Sequence, residues 1–327
     1  VNSLRNKADI VLLNNIIDYQ LEFVGINNHI LAKYRQNIAI NDQFISTFTN
    51  ILNKIVSNDS LNCDFLGYLY EYFQQYQVVE NKLEEAESNQ LKLKLENINL
   101  RYNLIKVNLN RKKQGSFYTP PEMIVKLLSS SLENSLNKIK SLRELLDFKV
   151  LDPACGSGNM LLQVFDRLYD KAVNNLNQCI NPNDLKRLIL RNCIFGVDID
   201  DFACEITKLT LFLKGNSNVH FENILCGNFL MENNKQFANS VDFSSFFRNN
   251  NLKFSLIVGN PPYLNIQNIE SEEKNYYLKN YKTAYRRFDI YLLFIEKAIR
   301  DLLKNDGLLA FIIPDKFLTQ SYAKKSR

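Results

Sequence analysis

Beyond about residue 111 the sequence predicts an α/β fold, an open and mostly parallel sheet with helices on both faces, preceded by an α-helical region over residues 1–110. Three observations carry this expectation. Apolar strand runs alternate with helical periodicity from residue 121 onward. A glycine-bearing turn, Asp152 to Asn159, joins a strand signal directly to a helix signal. Residues 1 to about 100 hold only two glycines, Gly25 and Gly67, and their apolar residues recur at helical spacing.

In chain order, the helical region includes an aromatic-rich stretch from Leu66 to Phe73 and a charged, leucine-spaced helix from Lys82 to Leu100. Lys112-Lys113-Gln114-Gly115 breaks that pattern. Strands are expected near 148–152, 193–198, 219–221, 254–258 and 308–313, and helices near 121–136, 158–176, 184–191, 201–214 and 288–304. Residues 230–252, rich in Asn, Ser and Phe, read as a surface loop. In open sheets of this kind ligands sit at the carboxyl ends of strands, around the switch in strand order, and the notable residues cluster there.

Composition narrows the classes. With 46% apolar residues over 327 positions the chain can bury a sizeable core. No apolar run approaches the roughly 18 residues of a membrane span, and the first residues lack a secretory pattern, so a cytoplasmic protein without membrane contact is expected. Six cysteines are scattered without CxxC pairs, and two histidines offer no metal spacing, so no metal site is expected. A net charge of +5 permits a polyanionic partner without requiring one.

The most informative residues are Asn260-Pro261-Pro262-Tyr263, which close the apolar run Phe254 to Val258. The prolines fix φ and remove two N–H donors, the Asn adds an acceptor and the Tyr a flat face, which together suit an exocyclic amine on a planar ring. Such an amine is a poor nucleophile, and acceptors on its N–H bonds localise charge on nitrogen as it attacks. Upstream, Asp152-Pro153-Ala154-Cys155-Gly156-Ser157-Gly158-Asn159 joins strand to helix in the manner of a nucleotide pocket. Gly156 and Gly158 allow close backbone approach, Asp152 could meet an ammonium group, and Asp198 at the next strand end could accept ribose hydroxyls. The distance from Gly158 to Asp198 exceeds the roughly 20 residues of dinucleotide folds, which argues against an ordinary NAD site.

The order of Gly115-Ser116-Phe117-Tyr118-Thr119-Pro120-Pro121, then DPACGSG at 152–158, GVDID at 196–200 and NPPY at 260–263 resembles the S-adenosylmethionine-dependent adenine-N6 DNA methyltransferases. More narrowly it resembles the restriction-modification group in which cofactor motifs precede the catalytic one, over about residues 60–327. The resemblance implies a Rossmann-like methyltransferase sheet in a catalytic domain spanning 111–327. It implies S-adenosyl-L-methionine as cofactor and double-stranded DNA as partner, with the target adenine flipped out of the duplex. Through it, Tyr118, Thr119, Asp152, Ala154, Gly156 and Gly158 would hold the methionine end of the cofactor, Asp198 the ribose, and Ile199 would flank the adenine. Asn260, Pro261, Pro262 and Tyr263 would form the catalytic turn. Gly227-Asn228-Phe229 departs from the family, which usually has an Asp at position 228 to accept from the cofactor's adenine amine; Asn228 would still accept through its carbonyl, less strongly than a carboxylate, and Phe229 could pack on that ring or belong to the core.

Past the turn, Lys282, Arg286 and Arg287 interleave with Tyr276, Tyr277, Tyr281 and Tyr285, which reads equally as a phosphate-contacting loop or as a solvated face with buried rings. Phe288-Asp289-Ile290-Tyr291 opens a helix expected to pack on the sheet near the base pocket. Compared with the family the catalytic domain is expected to be C-terminally incomplete, served by a separate target-recognition or restriction subunit, and no nuclease signature is found in 1–110. Two alternative readings stand: methylation of a protein glutamine amide, and a catalytically incomplete DNA-binding subunit.

Overall fold

The computed structural model describes residues 76–80, 102–106, 119–176, 180–215, 222–231, 252–269, 271–285 and 287–319. Strands β1 (Tyr76–Glu80) and β2 (Tyr102–Lys106) pair antiparallel, Val78 opposite Leu104. They stand where the sequence predicts only helix. Tyr-Gln-Val-Val and Tyr-Asn-Leu-Ile are aromatic and β-branched runs that suit a pleated surface, and that local preference overrides the helical reading of their surroundings. The pair belongs to a unit distinct from the sheet that follows. The aromatic stretch at 66–73, the charged helix at 82–100, the strand expected at 219–221 and most of the loop expected at 230–252 lie outside the described residues.

The larger unit is an α/β fold with five strands, all parallel: β3 (Val150–Asp152), β4 (Ile194–Asp198), β5 (Ile224–Cys226), β6 (Phe254–Gly259) and β7 (Leu303–Phe311). Their spatial order is β5-β4-β3-β6-β7. The chain winds outward from β3 through β4 to β5, then returns to the other side of β3 with β6, so the switch in strand order falls between β3 and β6. Strand β5, which follows the residues where a strand was expected at 219–221, begins at Ile224.

The first helices are α1 (Pro121–Lys138), with proline at its start where the missing N–H costs nothing, and α2 (Leu142–Leu146), capped by the Ser141 hydroxyl accepting from Glu144 N–H. Then come α3 (Asn159–Asn175), α4 (Pro182–Cys193) and α5 (Asp201–Gly215). Helix α3 packs on α1, α4 and β4, and α5 packs on α4, β4 and β5. On the other side a buried cluster joins Leu151, Phe195, Val197, Leu225 and Ile257 to Tyr277, Phe288, Tyr291 and Phe294. Those last residues come from α6 (Ser271–Asn280), α7 (Tyr291–Lys297) and the segment between them. Tyr291 to Ile295 are all buried, so α7 is apolar on every side, as a helix enclosed by protein must be.

The helix expected over 288–304 is therefore shorter than its sequence suggests. It passes into a π turn at Ala298–Leu302 and gives way to β7 at Leu303. Strand β7 carries a bulge, because Phe254 pairs with Leu303 while Leu256 already pairs with Leu308. Regular pairing from Leu308 explains why the strand signal is read only from there. A last short helix, α8 (Lys316–Thr319), follows β7. Among the described residues no helix is long and apolar enough to cross a membrane, and no cluster of metal-ligating side chains occurs.

Candidate functional site

The carboxyl ends of β3 and β6 lie side by side, since Leu151 pairs with Ile257, and each ends in one of the motifs singled out in the sequence. At the end of β3 the chain turns so tightly that Gly156 (φ 54°) and Gly158 (φ 84°) take left-handed conformations. Three hydrogen bonds set this turn: Cys155 N–H to the Val197 carbonyl at 2.9 Å, Gly158 N–H to the Cys155 carbonyl at 2.9 Å, and Gly156 N–H to Asp198 Oδ2 at 2.8 Å. A side chain on Gly158 would strike Thr207 of α5 at 2.9 Å, and the Thr207 hydroxyl donates to the Gly156 carbonyl at 2.8 Å. Thr207 is thus a clamp on the turn that nothing in the sequence pattern announces. Above Gly156, by contrast, a Cβ would meet nothing within 4 Å, which leaves a cradle open to a ligand.

Two carboxylates border this cradle. Asp152 is 2% exposed and accepts from Ala154 N–H at 3.0 Å; burial, reinforced by the neighbouring charge of Asp198, pushes its pKa up to about 7. Asp198 accepts from Gly156 and, through Oδ1 at 3.0 Å, from Asp200 N–H, and burial raises its pKa to about 6. Each oxygen keeps a second lone pair, so holding the turn does not exhaust its acceptor capacity. A buried carboxylate beside a half-buried one favours a cationic or hydroxyl-bearing ligand. Ile199, the residue after β4, is 68% exposed and offers an apolar wall beside them. Cys155 is buried, and burial with the two aspartates raises its thiol pKa well above the usual value, so it stays a neutral thiol.

At the end of β6 the arrangement is neutral. Gly259 abuts β3 so closely that a Cβ there would lie 2.9 Å from Asp152 Oδ1. Asn260 Nδ2 donates to Thr119 Oγ1 at 3.0 Å, so the segment before α1 reaches the turn after β6. Tyr263 Oη bonds to the Asn260 side-chain oxygen and to the Ile312 carbonyl, the latter at 2.9 Å. A phenol has one proton, so these two acceptors compete for it. Burial, with Tyr291 nearby, pushes the Tyr263 pKa up to about 12, so it acts as a neutral donor. Pro261 is buried and Pro262 half-buried. The ring of Tyr263 meets Tyr291 edge to face at 6.2 Å.

The strand leading out of the turn is fastened from two further places. Asn265 Nδ2 donates to Asp289 Oδ1 at 3.1 Å, Lys316 pairs with Asp289 Oδ2 at 2.6 Å, and Ile290 N–H bonds the Leu264 carbonyl at 2.8 Å. The Phe-Asp-Ile-Tyr segment is therefore a brace for the proline turn.

Asp152, Ala154, Gly156, Gly158, Asp198, Ile199, Thr119 and the Asn260–Tyr263 turn are thus brought to one edge of the sheet, whereas Tyr118 lies outside the described residues. Phe229 departs from the others. Its ring is 2% exposed, stacks on Phe294 at 5.2 Å and lies under Lys297 Nζ at 5.2 Å, because the turn after β5 folds the ring into the core. Of the tyrosines expected either to contact phosphate or to be buried, Tyr277 and Tyr281 are buried, Tyr285 is exposed, and Lys282 and Arg287 are exposed. Asn228, Glu273 and Tyr277 form a cluster that position-by-position reading missed, although Glu273, Tyr277 and Tyr281 recur every fourth residue.

Residues 192–327 match the family described as Eco57I restriction-modification methylase. Over 295 residues the chain is 31% identical to the type II restriction enzyme and methyltransferase RM.Eco57I of Escherichia coli, covering 81% of this chain and 28% of that protein. It is 30% identical over 218 residues to the type II methyltransferase M.BstVI of Geobacillus stearothermophilus, covering 65% of this chain and 36% of that one. A 65-residue stretch is 42% identical to the adenine-specific methyltransferase BrxX of Escherichia coli O9:H4 (strain HS), covering 20% of this chain and 5% of that one. The chain therefore spans about a third or less of the first two relatives' lengths.

Proposed function

We propose, for a chain that belongs through residues 192–327 to the Eco57I restriction-modification methylases, transfer of a methyl group from S-adenosyl-L-methionine to the N6 amine of adenine in DNA. The observation that carries this is the meeting of two unlike strand ends at the switch point, an anionic cradle after β3 and a neutral acceptor turn after β6, with Gly259 against Asp152.

The residues of the cradle fit the cofactor's chemistry. Asp152 is suited to its ammonium group, and the open space over Gly156 to a close-lying chain; Asp198 is suited to ribose hydroxyls and Ile199 to a flat ring. When bound, the cofactor supplies an electrophilic sulfonium methyl. The protein's own part is alignment and charge stabilisation, without a strong base. Asn260 offers its side-chain oxygen to the adenine amine, helped by main-chain acceptors of a turn whose prolines cannot donate. Thr119 orients the Asn260 amide, and Tyr263 provides the face on which a flipped base stacks. The Asn260 oxygen has two lone pairs, so an adenine amine can share it with the Tyr263 hydroxyl. DNA is the macromolecular partner in this reading, and recognition of a particular sequence belongs to a separate region or subunit.

The test is incubation of the purified chain with labelled cofactor and unmethylated genomic DNA, followed by mass spectrometry of the nucleosides. N6-methyl-2′-deoxyadenosine in the hydrolysate is the expected product. Label in protein glutamine with none in DNA would instead support the glutamine reading. Cofactor binding without transfer to any acceptor would support a DNA-binding subunit lacking catalysis.

A further inference from the structure

The turn after β5 is gripped by a helix that starts some forty residues later in the chain. Glu273 and Tyr277 lie four residues apart on one face of α6, and Tyr281 continues the stripe one turn on. Asn228 Nδ2 donates to Glu273 Oε1 at 3.2 Å and to the Tyr277 hydroxyl at 3.1 Å, while Asn228 Oδ1 accepts from Leu230 N–H at 3.0 Å. Tyr281 Oη donates to the Leu230 carbonyl at 2.6 Å. The Asn228 amide has two N–H bonds, and both have partners here. Position 228 thus recruits a carboxylate instead of carrying one.

Its place in the sheet gives that carboxylate a purpose. Asp198 pairs with Cys226 across β4 and β5, and Gly227 N–H donates to the Asp198 carbonyl at 2.7 Å. The end of β5 is therefore one strand spacing, about 4.8 Å, beyond the carboxylate assigned to the ribose. A nucleoside lying along these strand ends with its sugar at Asp198 carries its base toward the turn at 227–230, past the exposed Ile199.

We propose that Glu273 is the acceptor for the exocyclic amine of the cofactor's adenine, and that Asn228 is the positioning residue that holds the carboxylate for it. The inference rests on the cofactor reading above. An exocyclic amine only donates, an ionised carboxylate only accepts, and a bond between them is about twice as strong as one to a neutral carbonyl. The same carboxylate repels a 6-oxo purine, which would set acceptor against acceptor. Burial, with Glu273 alongside, raises the pKa of the Tyr277 hydroxyl and keeps it neutral beside the carboxylate.

Calorimetric titration of the full chain with S-adenosylhomocysteine and with S-inosylhomocysteine tests this. The wild type is expected to bind the adenosyl compound roughly tenfold or more tightly. In Glu273→Gln, whose amide can donate, the ratio should fall toward one. In the double variant Asn228→Asp with Glu273→Gln, which keeps the pair hydrogen-bonded and moves the charge to position 228, the preference should return. That exchange also guards against loss of the α6 contact in the single variant, as does a melting temperature matched to wild type. An unchanged preference in folded Glu273→Gln overturns the inference and leaves the cofactor site standing. Binding of neither compound by the wild type overturns both.

Discussion

The ends of β3 and β4 and the end of β6 lie side by side yet are built from opposite chemistry. The first group holds buried Asp152 and half-buried Asp198, left-handed glycines and an open cradle. The second holds an amide, two prolines and a phenol, all uncharged, and is braced by an ion pair of buried Asp289 with half-exposed Lys316, 26 or more residues further along the chain. One sheet edge can therefore hold a charged pair and a neutral turn in direct contact. Gly259 is the hinge of this separation, because its missing side chain lets the neutral turn touch Asp152.

Disabling one half should leave the other intact. Asn260→Ala is expected to lower methyl transfer by on the order of 10²–10³ while leaving cofactor affinity within about threefold, as loss of one charge-stabilising partner does in other enzymes. Equal loss of binding, measured by calorimetry beside the transfer assay, would show that the halves are not separate. Next in size, Asp152→Asn should weaken cofactor binding by roughly ten- to a hundredfold, the loss of one charge-assisted contact. The same change should raise the melting temperature of the ligand-free chain above pH 7. There the sign is set by a folded pKa near 7 against an ordinary value of 3.8: the folded form holds the proton more tightly, so stability falls as pH rises through that window.

A smaller effect sharpens the architecture of the cradle. Gly158→Ala adds a methyl group against Thr207 in a left-handed conformation and should cost about 2 kcal/mol in thermal unfolding, with Asn260 contacts untouched. The pH dependence of binding comes after it. Ionised Asp152 is the form that meets a cation, so affinity should rise about tenfold from pH 6 to pH 8 in the wild type and stay nearly flat in Asp152→Asn. Least of all, Lys316→Ala should destabilise the neutral half by about 1 kcal/mol, since Lys316 is half exposed although Asp289 is 3% exposed. A lowered transfer rate with unchanged cofactor affinity would confirm that the brace serves the proline turn alone.

The two halves were also unequally legible in the sequence. The β3 cradle is written locally: glycines fix its backbone, and Asp152 and Asp198 mark strand ends, so strands at 150–152 and 194–198 fall where expected. That the sheet is parallel follows from the alternation of elements. What escaped depends on distant pairing. Thr207 touches the turn because α5 crosses it, and α6 is invisible to hydropathy because its face against the sheet is made of Glu and Tyr. The shortened α7 reflects burial on every side, which erases the amphipathic period that marks helix ends, and β7 begins early because a bulge absorbs the polar residues Lys304 to Asp306. At the amino-terminal side, β1 and β2 were hidden inside a stretch whose overall spacing is helical.

The placement of β6 beside β3 has a consequence for synthesis. Val150 pairs with Leu256, so a growing chain makes β3, β4 and β5 and the helices between them well before the strand that completes the switch point. Until β6 arrives, Asp152 lacks Gly259 at its flank. The carboxylate is enclosed on that side only when the turn after β6 docks, so a nascent chain brings its perturbed carboxyl group and its neutral turn together in the same event.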